Sequence, residues 1–138
     1  MDDARNREDS MKKLALAAAF AVIGLPALAQ DAAFGIWKTQ IDDGAYAHVT
    51  MKQCGQKVCG FITRTFNSSG EYQSPNIGKP IVINMEPKGG GAYEGSVWRP
   101  SNDKIYIGKM QVNGNALSLK GCVAGGLLCA NQNWTRIQ

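Results

Sequence analysis

Apolar and polar residues alternate with a period of two along most of the chain beyond residue 44. The alternation is clearest at residues 45–52, 57–66 and 116–121, and side chains with this period lie on opposite faces of a β-strand. No sustained helical stripe is present after the first thirty residues. The pattern predicts seven or eight short antiparallel strands, as in a β-barrel or a β-sandwich.

Residues that favour turns separate the predicted strands, and Asn113-Gly114 is the strongest hairpin signal among them. Composition predicts a loop at residues 72–80, while shorter apolar runs predict strands at residues 81–85, 92–98, 104–112 and 132–137. Within residues 57–66, strict alternation places Val58 and Ile62 on one face and Thr65 on the other.

The first and last predicted strands carry matching features. Gly35 and Trp37 lie in the first, whereas Trp134 and Arg136 lie in the last. If these strands pair, the sheet closes and has no exposed edges, and an Arg placed over a Trp face stabilises the seam. The sequence therefore favours an all-β fold, a single up-and-down barrel of about eight strands, over an open sandwich.

Residues 11–29 have the three parts of a secretory signal peptide: a basic start, an apolar run at residues 14–25 and small residues before Gln30. Cleavage is expected between Ala29 and Gln30, and the apolar run is too short to span a bilayer. We interpret the charged residues 1–10 as an over-long start, with translation beginning at Met11. The prediction is a leader at residues 1–29 and one mature domain at residues 30–138, periplasmic or secreted, without a transmembrane span.

Four cysteines in an exported chain predict disulfide bonds. Three pairings are possible. Turn-forming segments separate Cys54 from Cys59 and Cys122 from Cys129, and such turns hold their ends within disulfide range, which favours these two local pairs. The spacings fit a structural zinc site poorly, so no metal is expected.

Charge and residue content exclude several function classes. The net charge of +4 is carried by scattered single Lys and Arg residues, which is not the clustered pattern of a nucleic-acid-binding protein. His48 is the only histidine and lies within a strand, and no Ser occurs in a Gly-x-Ser-x-Gly motif. We expect no catalytic residues and no cofactor, so the chain is not expected to be an enzyme.

Gly35-x-Trp37 with a basic residue on the last strand resembles the lipocalin and wider calycin signature. Residues 34–137 also resemble the bacterial secreted family known as domain of unknown function 2147. The segments that carry this resemblance are Gly35-Ile36-Trp37, Cys59-Gly60-Phe61-Ile62, Gly95-Ser96-Val97-Trp98-Arg99-Pro100, Lys104-Ile105-Tyr106-Ile107-Gly108-Lys109, and Gly121-Cys122 through Leu128-Cys129 to Trp134-Thr135-Arg136. The resemblance implies a small calycin-like barrel in an exported bacterial protein, and it brings no established activity.

The interior of such a barrel is expected to be apolar. Alternation along the predicted strands places seven side chains in the interior: Val49, Met51, Ile62, Tyr106, Met110, Leu117 and Leu119. Eight strands can be filled completely by side chains or can enclose one small ligand, and both alternatives remain open. We predict a non-enzymatic barrel that binds a small apolar or amphipathic molecule. The alternative is an envelope protein-interaction or inhibitor-like barrel that acts through its loops, above all residues 67–80.

Overall fold

The computed structural model describes residues 31–138, so the predicted leader and Gln30 lie outside the described residues. The strands are β1 (Gly35–Lys38), β2 (Tyr46–Cys54), β3 (Lys57–Asn67), β4 (Gly70–Tyr72), β5 (Pro80–Gly89), β6 (Ala92–Arg99), β7 (Lys104–Asn113), β8 (Ala116–Val123) and β9 (Leu128–Arg136). A single turn of 3-10 helix, Ala124–Gly126, connects β8 to β9. Within this part of the chain, no helix has the length and apolar character needed to cross a membrane.

Eight of the strands form a closed antiparallel barrel. Neighbouring strands in the barrel follow the order β1, β2, β3, β5, β6, β7, β8 and β9, and β9 pairs back with β1. The short strand β4 pairs only with β3 and extends it as a hairpin outside the closed sheet. The all-β barrel predicted from the sequence is therefore confirmed, although β4 lies partly within the segment predicted as loop, and β9 begins four residues before the predicted strand.

A bulge in β3 changes which side chains face the interior. His48 is opposite Arg64 and Val49 is opposite Ile62, so no residue of β2 lies directly opposite Thr63 in the register. The extra residue reverses the alternation, and Thr65 is consequently buried on the same face as Ile62. The strict alternation predicted for this strand, which placed Thr65 on the opposite face, was wrong for this reason.

The packed core occupies one end of the barrel. Its largest fully buried side chains are Trp37, Trp134, Met51, Met85 and Leu117. We call this the closed end, since Ala33 is completely buried there and the tight turns after β2, β5 and β7 surround it. The opposite end, formed by the loops at residues 39–45, 73–79, 100–103 and 124–127, is called the mouth.

Gly108 shows how tightly the core is packed at the middle of the barrel. A Cβ atom on this residue would lie 2.6 Å from Val97 Cγ2 and 2.7 Å from Met85 Cε. Those distances are shorter than van der Waals contact, so only glycine allows β7 to pass this close to its neighbours.

The seam between β1 and β9 joins both ends of the described chain. Trp37 is paired with Arg136, and the guanidinium carbon of Arg136 lies 4.3 Å from the centroid of the Trp37 ring. The same guanidinium donates to the carbonyl oxygen of Phe34 at 2.6 Å, to that of Gly114 at 3.3 Å, and to that of Ala32. Gly35 also belongs to the seam, because a Cβ there would collide with the carbonyl oxygen of Gln138.

Two disulfides join neighbouring strands. One connects Cys54 with Cys59 across the β2–β3 turn, and the other connects Cys122 with Cys129 between β8 and β9. Residues 31–138 contain no free cysteine. Both local hairpins are therefore closed covalently, one at each end of the barrel.

Candidate functional site

A cavity of about 880 Å³ extends from the mouth into the barrel and ends on the packed core. The strands on opposite sides of the barrel supply its apolar wall, through Ile62 of β3, Val97 of β6 and Leu119 of β8. Trp134 of β9 lies at the inner limit of the cavity and is only 2 % exposed. The barrel is thus half filled, with a core at one end and an open chamber at the other.

The structure separates the seven side chains predicted to face the interior into two groups. Ile62, Tyr106 and Leu119 line the cavity. The remaining residues, Val49, Met51, Met110 and Leu117, are buried in the packed core and do not line it. Inward parity alone does not distinguish the two groups, because a residue's height along the barrel axis decides whether its neighbours are side chains or open space.

Three polar side chains on the cavity wall were not selected from the sequence, whereas Tyr106 was. Thr39 follows β1, Thr65 follows the bulge of β3, and Gln132 lies in β9; all three line the cavity. Gln132 lies two positions before Trp134, so alternation places both side chains on the same face, and this could have identified Gln132 from the sequence. Thr65 could not be identified without knowledge of the bulge.

Thr65 holds one side of the mouth in place. Its hydroxyl donates to the carbonyl oxygen of Tyr72 at 2.5 Å and accepts from the backbone N–H of Ser74 at 3.3 Å. Outside the barrel, Arg64 donates twice to the carboxylate of Glu71, at 2.8 and 2.5 Å. These hydrogen bonds lower the pKa of Glu71 and raise that of Arg64. Together the contacts fix β4 and the following loop beside the cavity entrance.

Charged lining residues are confined to the mouth. They are Asp42 and Asp43, in the loop after β1, and Arg99, at the end of β6. The wall farther inside is apolar or carries neutral polar groups. No cluster of three His, Cys, Asp or Glu side chains suited to a metal ion occurs in residues 31–138.

His48 lies away from the cavity lining, in a cluster of aromatic and charged groups. Its ring centroid is 4.7 Å from that of Phe66, which in turn stacks on Tyr46 at 4.8 Å. Partial burial lowers the pKa of His48, and the positive charge of Arg64 lowers it further. His48 therefore packs against aromatic rings and is not among the residues that line the cavity.

Exposed apolar side chains surround part of the mouth. Leu127, in the connection from β8 to β9, is 85 % exposed, and Leu128, the first residue of β9, is 66 % exposed. Ile41, in the loop after β1, is 62 % exposed. Since β1 and β9 are neighbours, these residues belong to adjacent parts of the rim. We refer to Ile41, Leu127 and Leu128 as the apolar rim.

A solved structure has a fold similar to that of this chain. Protein HP1028 from the human pathogen Helicobacter pylori, described as belonging to the lipocalin family, matches this chain with a TM-score of 0.61 and 16 % sequence identity. The match covers 75 % of this chain and 82 % of that one, and at this identity it shows a shared lipocalin-like fold.

Among curated proteins, none matches the sequence. A family model does match it: DUF2147, described as an uncharacterized protein conserved in bacteria, over residues 35–136. Those residues include all eight strands of the barrel, both disulfides and the seam. The resemblance inferred from the sequence is confirmed, and the chain belongs to the bacterial family DUF2147.

Proposed function

We propose that this protein is an exported, non-enzymatic barrel that binds one small apolar or amphipathic molecule in the cavity behind the mouth. The observation that carries the proposal is the cavity itself, whose volume of about 880 Å³ lies within the range of roughly 300–1,000 Å³ typical of small-molecule sites. An interior filled by side chains, the other possibility for an eight-stranded barrel, would leave no such space.

The character of the wall supports the choice of ligand class. Burial of apolar ligand surface against Ile62, Val97 and Leu119 contributes roughly 25 cal/mol per Å² removed from water. The packed core closes one end of the barrel, so the ligand enters and leaves through the mouth. Because the charged lining residues lie at the mouth, the inner chamber offers only apolar and neutral polar groups, which disfavours charged metabolites.

Two further observations support export and the absence of catalysis. Paired disulfides are typical of proteins outside the cytoplasm, which agrees with the predicted signal peptide and a periplasmic or secreted location. Acid–base catalysis most often uses His, Asp or Glu beside the substrate, whereas His48 does not line the cavity and the lining carboxylates lie at the mouth.

Binding of a neutral fluorescent probe, N-phenyl-1-naphthylamine, tests the proposal. Ala47 is half-buried on the cavity wall, so Ala47→Phe fills part of the chamber and is expected to weaken probe binding at least tenfold. Ala116→Phe is the matched control, since Ala116 is exposed at the closed end and should leave binding unchanged. Native mass spectrometry of protein purified from the periplasm would then identify the bound molecule.

A second blocking variant keeps the test informative if Ala47→Phe fails to fold. Gly121 lines the cavity, and a Cβ there would be 3.6 Å from Tyr106 Cβ, an ordinary contact, so Gly121→Leu extends into the chamber without backbone strain. Absence of probe binding by the unaltered protein would overturn the proposal, and so would binding by both blocking variants as tight as that of the unaltered protein.

The apolar rim favours one alternative function, in which the protein is an envelope interaction or inhibitor-like module acting through its loops. Exposed leucines at a loop tip are typical of protein contacts. Leu127→Ser with Leu128→Ser should then abolish crosslinking to a periplasmic partner while probe binding persists. Unchanged crosslinking in this variant would exclude the rim as the contact.

A further inference from the structure

One polar side chain inside the cavity has a fixed orientation. Gln132 lines the cavity beside Trp134, and the indole Nε1–H of Trp134 donates to Gln132 Oε1 at 2.9 Å. Indole nitrogen only donates a hydrogen bond, so the amide oxygen of Gln132 must face it. The amide nitrogen consequently points away from Trp134.

That amide nitrogen retains its hydrogen-bonding capacity. Within residues 31–138, the Gln132 side chain makes no hydrogen bond other than the one to Trp134. No side-chain nitrogen or oxygen in this part of the chain is both buried from solvent and unpaired, so the Gln132 nitrogen is accessible in the chamber. A half-buried amide donor in an apolar chamber favours a ligand that supplies an acceptor to it.

The surroundings of Gln132 determine what kind of acceptor fits. Leu119 is its partner across the β8–β9 pair, and Trp134 follows it along β9. The only cationic residue among the cavity-lining residues is Arg99, at the mouth. Burying a carboxylate beside a single neutral amide is costly, because no positive charge compensates for its lost hydration. An uncharged carbonyl oxygen requires only one good donor.

We propose that Gln132 determines ligand specificity by donating a hydrogen bond to the carbonyl oxygen of an uncharged amphipathic molecule, such as a ketone, an ester or an amide with an apolar chain. This inference rests on the proposed function, because it assumes that the cavity is a ligand site. The carbonyl lies beside Gln132, and the chain packs against the wall formed by Ile62, Val97 and Leu119.

A second donor in the cavity provides an internal control. Asn102 Oδ1 accepts from the backbone N–H of Lys104 at 3.1 Å, which directs its amide nitrogen to the Tyr106 hydroxyl at 2.8 Å. The Tyr106 hydroxyl accepts this bond, so its own proton remains available to a ligand. Tyr106 is near the start of β7, closer to the mouth than Gln132 is. Removing each donor separately distinguishes their roles.

The test compares three competitors for the neutral probe N-phenyl-1-naphthylamine: 2-decanone, its isostere 2-methyl-1-decene, which lacks the acceptor, and decanoate, which is charged. The unaltered protein should bind the ketone about 3- to 10-fold more tightly than the alkene, the range expected for one net hydrogen bond. It should also bind the ketone more tightly than decanoate at pH 7.5.

Gln132→Glu is the informative variant, because its carboxylate still accepts from Trp134 but offers no N–H to the ligand. The ketone preference over the alkene, compared within each variant, should disappear in Gln132→Glu and persist in Tyr106→Phe. A preference that survives Gln132→Glu, or that is lost in Tyr106→Phe, overturns the assignment while the proposed binding function stands. Failure of the unaltered protein to bind the probe refutes the binding function and this inference with it.

Discussion

Removal of the Arg136 side chain is the most direct test of the barrel's closure. Arg136 lies over the Trp37 ring at 4.3 Å and donates to backbone carbonyl groups of Phe34, Ala32 and Gly114. These contacts join the last strand to the first strand, to the segment preceding it and to the β7–β8 turn. Arg136→Ala eliminates all of them in one substitution.

The magnitude follows from the separate contacts. A cation–π interaction at a partly exposed site contributes about 0.5–2 kcal/mol, and each net hydrogen bond contributes about 0.5–1.5 kcal/mol. The carbonyl groups at this end of the barrel become accessible to water in the variant, which reduces the penalty for losing their donor. We expect Arg136→Ala to lower the free energy of unfolding by about 2–4 kcal/mol without changing the fold.

A double-mutant cycle with Trp37→Phe isolates the contact between the two side chains. Urea unfolding followed by far-UV circular dichroism avoids the change in fluorescence that removal of a Trp causes. The combined effect should deviate from additivity by at least about 0.5 kcal/mol, since residues in contact couple. Arg64→Ala is the control, because Arg64 is exposed, pairs with Glu71 and should be additive with Trp37→Phe. Strict additivity of Arg136→Ala and Trp37→Phe would refute the seam.

Three further outcomes are expected. N-terminal sequencing of the exported protein should begin at Gln30, and an intact leader on soluble periplasmic protein would contradict the signal-peptide prediction. Peptide mapping without reduction should recover Cys54–Cys59 and Cys122–Cys129, whereas a crosslink between these pairs would contradict the structure. Gly108→Ala should destabilise the barrel by about 1–3 kcal/mol through overpacking, and Gly121→Ala, whose Cβ has ordinary contacts, should change stability by less than about 0.5 kcal/mol in the same urea titration.

Local sequence patterns were sufficient to predict the barrel. Alternation and hairpin residues indicate the strands, and the paired Trp and Arg features at the two ends indicate closure. Alternation and hairpin residues are local, since each involves only a few neighbouring residues. The closure signal requires only that the first and last strands of a simple meander be identified, so both kinds of signal are visible in the sequence.

The candidate site was less predictable, because it depends on small departures from regular structure. The bulge at Thr63 turns Thr65 inward, and a second irregularity, at Asn84, whose φ is 50°, shifts the register between β5 and β6. Neither departure follows from the alternation, which implies unbroken strands. Ile62 lines the cavity, whereas Leu117 is buried in the packed core. This difference depends on how far side chains from all eight strands extend across the interior.

The seam also constrains the order in which the chain can fold. The hairpins formed by β5 to β8 join neighbours in sequence, whereas the hydrogen bond from Arg136 to Phe34 spans 102 residues. Contacts between distant residues form late, because their loop-closure entropy must be overcome first. We therefore expect the barrel to close late in folding, and a chain that lacks its last few residues would keep two unpaired sheet edges, open to pairing with other chains.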